Sequence, residues 1–174
     1  MRCYDAGDVE ALGSVFGDPY AAKFYPAMHQ FEALDRWINW NLKNYEVYGF
    51  GLWALELLDS GLFIGDAGIT YQEVEGERIL EIGWHIHPSF RAMGYATEAG
   101  RACLAFGFNH LNAPILGSIV DPENSASLKV GSRVHAEKRD FQGASGTMYL
   151  FTTTAAQFAA MANKSFYQAA FDSR

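Results

Sequence analysis

From Ile79 to His87 the chain alternates: Leu80, Ile82, Trp84 and Ile86 are apolar, while Glu81, Gly83, His85 and His87 interrupt them. A period of two puts the first set on one face of a strand and the second on the other. Two earlier strand-like runs, Leu52 to Leu57 and Leu62 to Tyr71, flank Leu58-Asp59-Ser60-Gly61, a turn that suits a hairpin. A polar turn at Glu73 to Arg78 leads into the third run, so the three predict an antiparallel meander. The period then changes. Ala99, Ala102, Cys103 and Phe106 recur at i, i+3, i+4 and i+7, one face of a helix from about Thr97 to Asn109.

The same reading predicts a short helix over Asp8 to Phe16, closed by a turn at Gly17-Asp18-Pro19. A better one runs from Phe31 to Tyr45, with Leu34, Trp37, Ile38, Leu42 and Tyr45 on one face. Ile115 to Val120 and Thr147 to Thr152 read as strands, and Asn124 to Arg133 and Thr154 to Lys164 as helices. A meander followed by strand, helix, strand, helix predicts a mixed sheet with helices on its faces. With no repeat or linker in sight, residues 1–174 read as a single domain.

The join between the third strand and its helix carries the candidate chemistry: Ile86-His87-Pro88-Ser89-Phe90-Arg91-Ala92-Met93-Gly94-Tyr95-Ala96-Thr97. Pro88 ends the strand because it cannot donate to the ladder. Gly94 and Ala96 keep the following turn bare of bulk. A helix start leaves backbone N–H groups unpartnered and carries partial positive charge, so this join suits an anion such as a pyrophosphate. Arg91 would add a charge-assisted contact. The plainer reading is that Gly94 merely makes the turn. A triphosphate P-loop is excluded because no Lys and Ser or Thr follow Gly94. A dinucleotide fold would need G-x-G-x-x-G and repeated βαβ units, which the meander does not offer.

Charge narrows the partners. Thirteen Lys and Arg against 20 Asp and Glu give a formal charge of -7, with no basic run, which argues against nucleic acid and weakly favours a cationic acceptor. No apolar run is long enough to span a bilayer, and Met1-Arg2-Cys3-Tyr4-Asp5 lacks a signal-peptide core, so we expect a cytoplasmic protein without membrane association. Cys3 and Cys103 form no metal spacing, and we expect no metal.

Arg91, Gly94 and Ala96 match the Arg or Gln, x, x, Gly, x, Gly or Ala signature of the CoA-dependent N-acetyltransferases, and the chain resembles that superfamily. More narrowly it is similar to the ribosomal-protein-alanine N-acetyltransferase branch. That likeness rests on Glu81-Ile82-Gly83-Trp84-His85-Ile86-His87-Pro88, Gly94-Tyr95-Ala96-Thr97-Glu98-Ala99 and Val120-Asp121-Pro122-Glu123-Asn124-Ser125-Ala126-Ser127. Phe50-Gly51-Leu52-Trp53-Ala54 and Gly61-Leu62-Phe63-Ile64-Gly65 extend it upstream. The resemblance implies an α/β (mixed α+β) fold whose central, mostly antiparallel sheet is splayed near its middle, with a bulge near Gly83 opening the cleft. It implies acetyl-CoA as cosubstrate and a primary amine, a protein N-terminus or a small molecule, as acceptor. Trp84-His85-Ile86 would border the pantetheine arm, the backbone of Trp84 and Ile86 pairing with it. Amides of Arg91, Ala92, Met93, Gly94, Tyr95, Ala96 and Thr97 would hold the pyrophosphate, Asn124 would bond the arm, and Ser127 would sit near the sulfur. The assembly would be a monomer or homodimer.

The chain also departs from the family pattern. Val134, His135 and Ala136 stand where a hydrophobic residue, Gly and Phe are usual, and a left-handed cap is costly for His. Gly131 replaces a Tyr proton donor, and the usual first strand shrinks to Met1-Arg2-Cys3-Tyr4. These departures keep a second reading open, an inactive or weak acyl-CoA-binding regulatory module.

For acetyl transfer, an ammonium must first lose a proton. Glu81 is the candidate base, or else a solvated charge or a partner of Arg78. His85, on the same face, is a relay or a structural histidine. The N–H of Trp84 is a candidate oxyanion donor. Ser127 is the candidate acid for the thiolate, or a simple helix-side hydroxyl. Cys103 falls on the apolar stripe and is a poor nucleophile, so direct attack is expected. Trp37, Trp40 and Tyr45 lie on the helix expected to border the acceptor; of these Trp40, off the apolar stripe, is the candidate contact.

Overall fold

The computed structural model describes residues 1–143 and 146–161. A short 3-10 turn, Ala6–Asp8, leads into α1 (Val9–Phe16), α2 (Pro19–Phe24) and α3 (Phe31–Tyr48). The sheet strands are β1 (Leu52–Glu56), β2 (Phe63–Val74), β3 (Glu77–Ile86), β4 (Ile115–Val120), β5 (Glu137–Gly143) and β6 (Gly146–Thr154). Helices α4 (Tyr95–Asn109) and α5 (Ser125–Val134) flank β4, and residues 155–161 are helical. Residues 162–164 of the predicted terminal helix lie outside the described residues.

The strand order is β1-β2-β3-β4-β6-β5, antiparallel except for the parallel pair β3–β4. Alternation sorts the side chains as the sequence predicted. Ile82, with Trp84 beside it, joins Cys103 and Leu104 of α4, Leu116 of β4 and Val134 of α5 in one core; Ile86 packs with Ala99 in a second. On the opposite face, Leu52 and Ala54 meet Leu12, Val15 and Phe16 of α1 and Leu34 and Ile38 of α3. Helices therefore cover both faces, and each fully buried Leu or Ile contributes about 1.5–3 kcal/mol of burial.

Helix α3 ends where Gly49 takes a left-handed conformation (φ 77°) and donates its N–H to Tyr45 O. Asn41, fully buried, docks this helix on β1 by accepting Leu52 N–H at 2.7 Å and donating to Trp37 O at 3.0 Å. The first residues of the chain make a single isolated bridge, Arg2 to Ala54, beside β1.

The bulge expected near Gly83 is not there. The β2–β3 register runs unbroken from Gly65↔Ile86 to Val74↔Glu77, and the slip lies instead in β1–β2, between Leu55 and Glu56. A two-residue turn, Glu75 and Gly76 at φ 54° and 83°, sets that register without an extra residue.

The splay itself is present. Strands β3 and β4 pair at Glu81↔Gly117 and at no other described position. Beyond that point side chains bridge them: Ile119 N–H donates to Glu81 Oε1 at 3.2 Å, and Ser118 Oγ donates to Ile82 O at 2.7 Å.

Candidate active site

Where β3 and β4 part, a cavity of about 570 Å³ opens, within the range of small-molecule and cofactor sites. Trp84, His85 and Ile86 form one wall, Arg91, Ala92 and Gly94 to Thr97 its end, and Asn124 to Ser127 the side formed by α5. Val15, Phe16, Tyr20, Ala21, Phe24 and Tyr25, from α1 and α2, close it opposite.

The backbone along the gap has free groups. His87 donates its N–H to Ile64 O of β2 at 2.8 Å. Alternation along a strand then turns the groups of Ile82, Trp84 and Ile86 the other way, toward β4. Two of those carbonyls are used: Ile82 O by Ser118, and Ile86 O by Arg91 Nε at 3.0 Å. The N–H and C=O of Trp84 and the N–H of Ile86 face the gap with no partner among the described residues.

At the cavity's end, Ala92 and Gly94 both take positive φ, 63° and 98°, folding the turn back on itself before α4 starts. A Cβ added at Gly94 would meet no heavy atom within 4 Å, so the turn is open rather than blocked. The N–H groups of residues 92 to 97 make no hydrogen bond among the described residues. Met93 is 64% exposed and is not among the lining residues.

Arg91 does something other than the sequence reading expected. Its guanidinium is committed to Asp18, with Nη1–Oδ2 at 2.5 Å and Nη2–Oδ1 at 3.1 Å. These bonds hold the Asp18 carboxyl below its ordinary value. Positive charge in the lining comes also from Lys129 and Arg133 of α5, and no Asp or Glu is among the lining residues, although the whole chain is acidic.

Asn124 caps α5: its Oδ1 accepts Ser127 N–H at 3.0 Å and Tyr20 O–H at 2.9 Å, leaving its amide nitrogen without a partner among the described residues. Tyr20 also accepts Ala126 N–H at 3.3 Å, and Lys23 meets Glu123 at 2.8 Å, so α2 straps the mouth to α5. Ser127 lines the cavity and its hydroxyl has no protein partner among the described residues. Trp40 is not brought to the cavity; it packs on Trp37 over a separate shallow dent with Ala33 and Arg36.

On the polar face of β3, burial pushes the Glu81 carboxyl above its ordinary value, opposed by the Ile119 N–H and by the charge of His85. Glu81 is not part of the cavity lining, whereas His85 is. His85 sits in an aromatic box, with ring centroids 4.8 Å from Tyr25, 5.1 Å from Phe16 and 5.5 Å from Trp37. Its Nδ1 is 2.6 Å from Oδ1 of Asp66, a residue with no exposed surface.

Sequence reasoning missed Asp66 and Tyr25. The signal for Asp66 was the Glu75-Gly76 turn, whose register sets Asp66 directly across from His85. Tyr25 follows a helix too short to announce itself, and its phenol, raised by burial and by the charges of Glu81 and Asp66, keeps its proton.

The two departures at α5 are accommodated. His135 is extended (φ -101°, ψ 159°), not left-handed, so it carries no cap penalty. Its ring is buried between Ser118 Oγ at 2.9 Å and Thr153 Oγ1 at 3.2 Å. Gly131 packs on Phe151, whose ring carbons lie 2.8 Å from where a Cβ would stand; no tyrosine fits there.

A sheet splayed beside a bare helix start defines an acyl-CoA-dependent transferase fold, and the comparisons agree. The sequence model of the acetyltransferase (GNAT) domain matches residues 1–137, and the chain belongs to this family. It is therefore an acetyltransferase domain, of a family that uses acetyl-CoA and acts on amines. The uncharacterised Bacillus subtilis protein YkkB is 35% identical over 135 residues, 77% of this chain and 78% of its own length. The aminoglycoside acetyltransferase AAC(6')-Ib in complex with coenzyme A has a similar fold, with TM-score 0.75 at 15% identity, over 91% of this chain and 96% of that one. RimL, a ribosomal L7/L12 alpha-N-protein acetyltransferase in complex with coenzyme A, gives 0.72 at 14% over 88% and 92%. Their names cover a small molecule and a protein terminus, so the fold does not choose the acceptor.

No helix of the described residues is long and apolar enough to cross a membrane, and among them no group of three His, Cys, Asp or Glu could hold a metal ion.

Proposed function

We propose that this chain binds acetyl-CoA along the β3–β4 gap and moves the acetyl group to a primary amine by direct attack, with no acyl-enzyme. The observation that carries this is the set of unpartnered N–H groups from 92 to 97 beside the free edge of Trp84. Those donors and the helix start suit a diphosphate, Lys129 and Arg133 add positive charge, and the Trp84 and Ile86 edge suits the amides of a pantetheine arm. The free amide of Asn124 would bond that arm. The bound cosubstrate supplies an activated thioester carbonyl.

Within the chain, proton removal falls to the polar face of β3. There Glu81, with raised proton affinity, is the terminal acceptor, and His85, which lines the cavity, relays the proton to it. The free hydroxyl of Ser127 serves the departing sulfur. The Trp84 N–H faces the gap as a donor to charge developing on the carbonyl oxygen.

The acceptor is a protein N-terminus or a small molecule; aromatic walls without a carboxylate favour an amine with an apolar body over a polycation. The ribosomal-protein-alanine branch is one form of this reading, supported by the motif order and by the RimL fold. The inactive-module reading loses the support of His135, which is extended and packed; Gly131 leaves the family's tyrosine donor absent, and Ser127 is the candidate acid in its place. We place the protein in the cytoplasm, as a monomer or homodimer.

Release of free thiol from acetyl-CoA, measured against a panel of primary amines, tests the reading. Turnover with at least one amine is expected. A stabilising CoA shift with turnover on none would return the module reading.

A further inference from the structure

We propose that His85 is the group that takes the first proton from the acceptor amine, and that Asp66 is its positioning residue. This rests on the acetyl-transfer reading above and adds to it the path of the proton.

The β2–β3 register sets Asp66 opposite His85, and their side chains meet at 2.6 Å. Asp66 has no exposed surface, yet each of its oxygens is used. Oδ2 accepts Tyr4 O–H at 2.7 Å and Trp37 Nε1–H at 3.1 Å, and Oδ1 faces His85 Nδ1. A buried carboxylate collecting donors from three other elements is held rigidly, and it acts as an acceptor. Nδ1 is therefore the nitrogen that carries hydrogen, which in the neutral ring leaves Nε2 with a lone pair. Nε2 has no hydrogen-bond partner among the described residues. Every fully buried side-chain polar atom among them does have one, so Nε2 remains accessible, on a ring that lines the cavity. An acid behind, a free nitrogen in front and a ring clamped by Phe16, Tyr25 and Trp37 is the arrangement that orients a histidine base.

The amino-terminal residues have their use here. The Arg2–Ala54 bridge delivers Tyr4 to Asp66. The titratable groups facing His85 are Asp66 from β2, Tyr25 from the segment after α2, and Glu81 from β3 itself. Tyr4 reaches it through Asp66.

In the step proposed, the ammonium gives one proton to Nε2, and the freed lone pair forms the N–C bond as the C–S bond breaks. The second amine proton goes to the sulfur by way of Ser127. The imidazolium returns its proton through Glu81 or water, so the products are amide, thiol and one solvent proton.

Two measurements test this. With His85→Ala, kcat falls about 100-fold or more, the acetyl-CoA thermal shift is kept, and added imidazole restores turnover. His85→Gln, which keeps a polar tip without a base, stays inactive. Either variant turning over as the wild type would overturn the proposal. For Asp66, nitrogen-15 NMR of histidine in the wild-type protein reads the tautomer directly: Nδ1–H is expected, and Nε2–H would overturn the positioning role even if no Asp66 variant folds. In Asp66→Asn the expected outcome is loss of that tautomer with kcat lowered and the KM for acetyl-CoA unchanged. If the wild type acetylates no amine, the transfer reading fails, while the NMR result still decides the dyad.

Discussion

Arg91 and Asp18 form a two-bond ion pair, 2.5 and 3.1 Å, that ties the turn before α4 to the start of α2. The same carboxylate caps α2 by accepting Ala21 N–H at 2.9 Å. The arginine of the signature thus joins the turn to α2. Since α2 also reaches α5 through Tyr20, the pair links both ends of the cavity mouth. Asp18→Asn tests this cleanly, because Asn caps a helix as well as Asp but cannot complete the charge pair. We expect a loss of about 1 kcal/mol in denaturant unfolding and a severalfold rise in the KM for acetyl-CoA. An unchanged KM would separate the pair from cosubstrate binding.

His135 makes stability depend on pH. Burial pushes its ring down to about 4 from 6.5, so the unfolded chain takes up a proton that the folded chain refuses. The sign follows: between these values the unfolded state holds more protons, and stability falls as pH drops from 6.5 toward 4. The loss reaches at most about 3 kcal/mol. The ring's bonds fit a neutral form. Ser118 donates its proton to Ile82 O, so Nε2 donates to Ser118, and Nδ1 accepts from Thr153. Urea unfolding at pH 7 and pH 5 should show this step in the wild type and a smaller one in His135→Gln.

Cys103 is buried in the α4 core, 1% exposed, with its thiol pushed up to about 12 by burial. It is outside the cavity lining and holds no useful thiolate at neutral pH. Cys103→Ala should leave kcat within about twofold while lowering stability by about 1 kcal/mol for the lost sulfur contacts. A folded but inactive variant would speak for an acyl-enzyme.

Much of the fold was legible because β1, β3, β4 and α4 alternate or repeat with clear periods. Strand β5 was not, because it opens with Glu137-Lys138-Arg139-Asp140, four exposed charges with no apolar face. It is an edge strand, and charge there discourages pairing with other chains. Helix α2 hid behind Asp18-Pro19, which reads as a turn but serves as N-cap and first helical residue. The bare turn before α4 showed itself in one contiguous segment. The His85–Asp66 contact did not, since a turn read as six residues, Glu73 to Arg78, concealed a two-residue one and with it the register.

Ligand-induced melting shifts test directly whether backbone donors at the mouth of α4 hold a diphosphate. Acetyl-CoA should raise the melting temperature, by an amount that grows with ligand concentration. Acetyl-pantetheine, which has the same thioester and arm but no diphosphate, should give little shift at the same concentration. Equal shifts from the two, or none from acetyl-CoA, would contradict it.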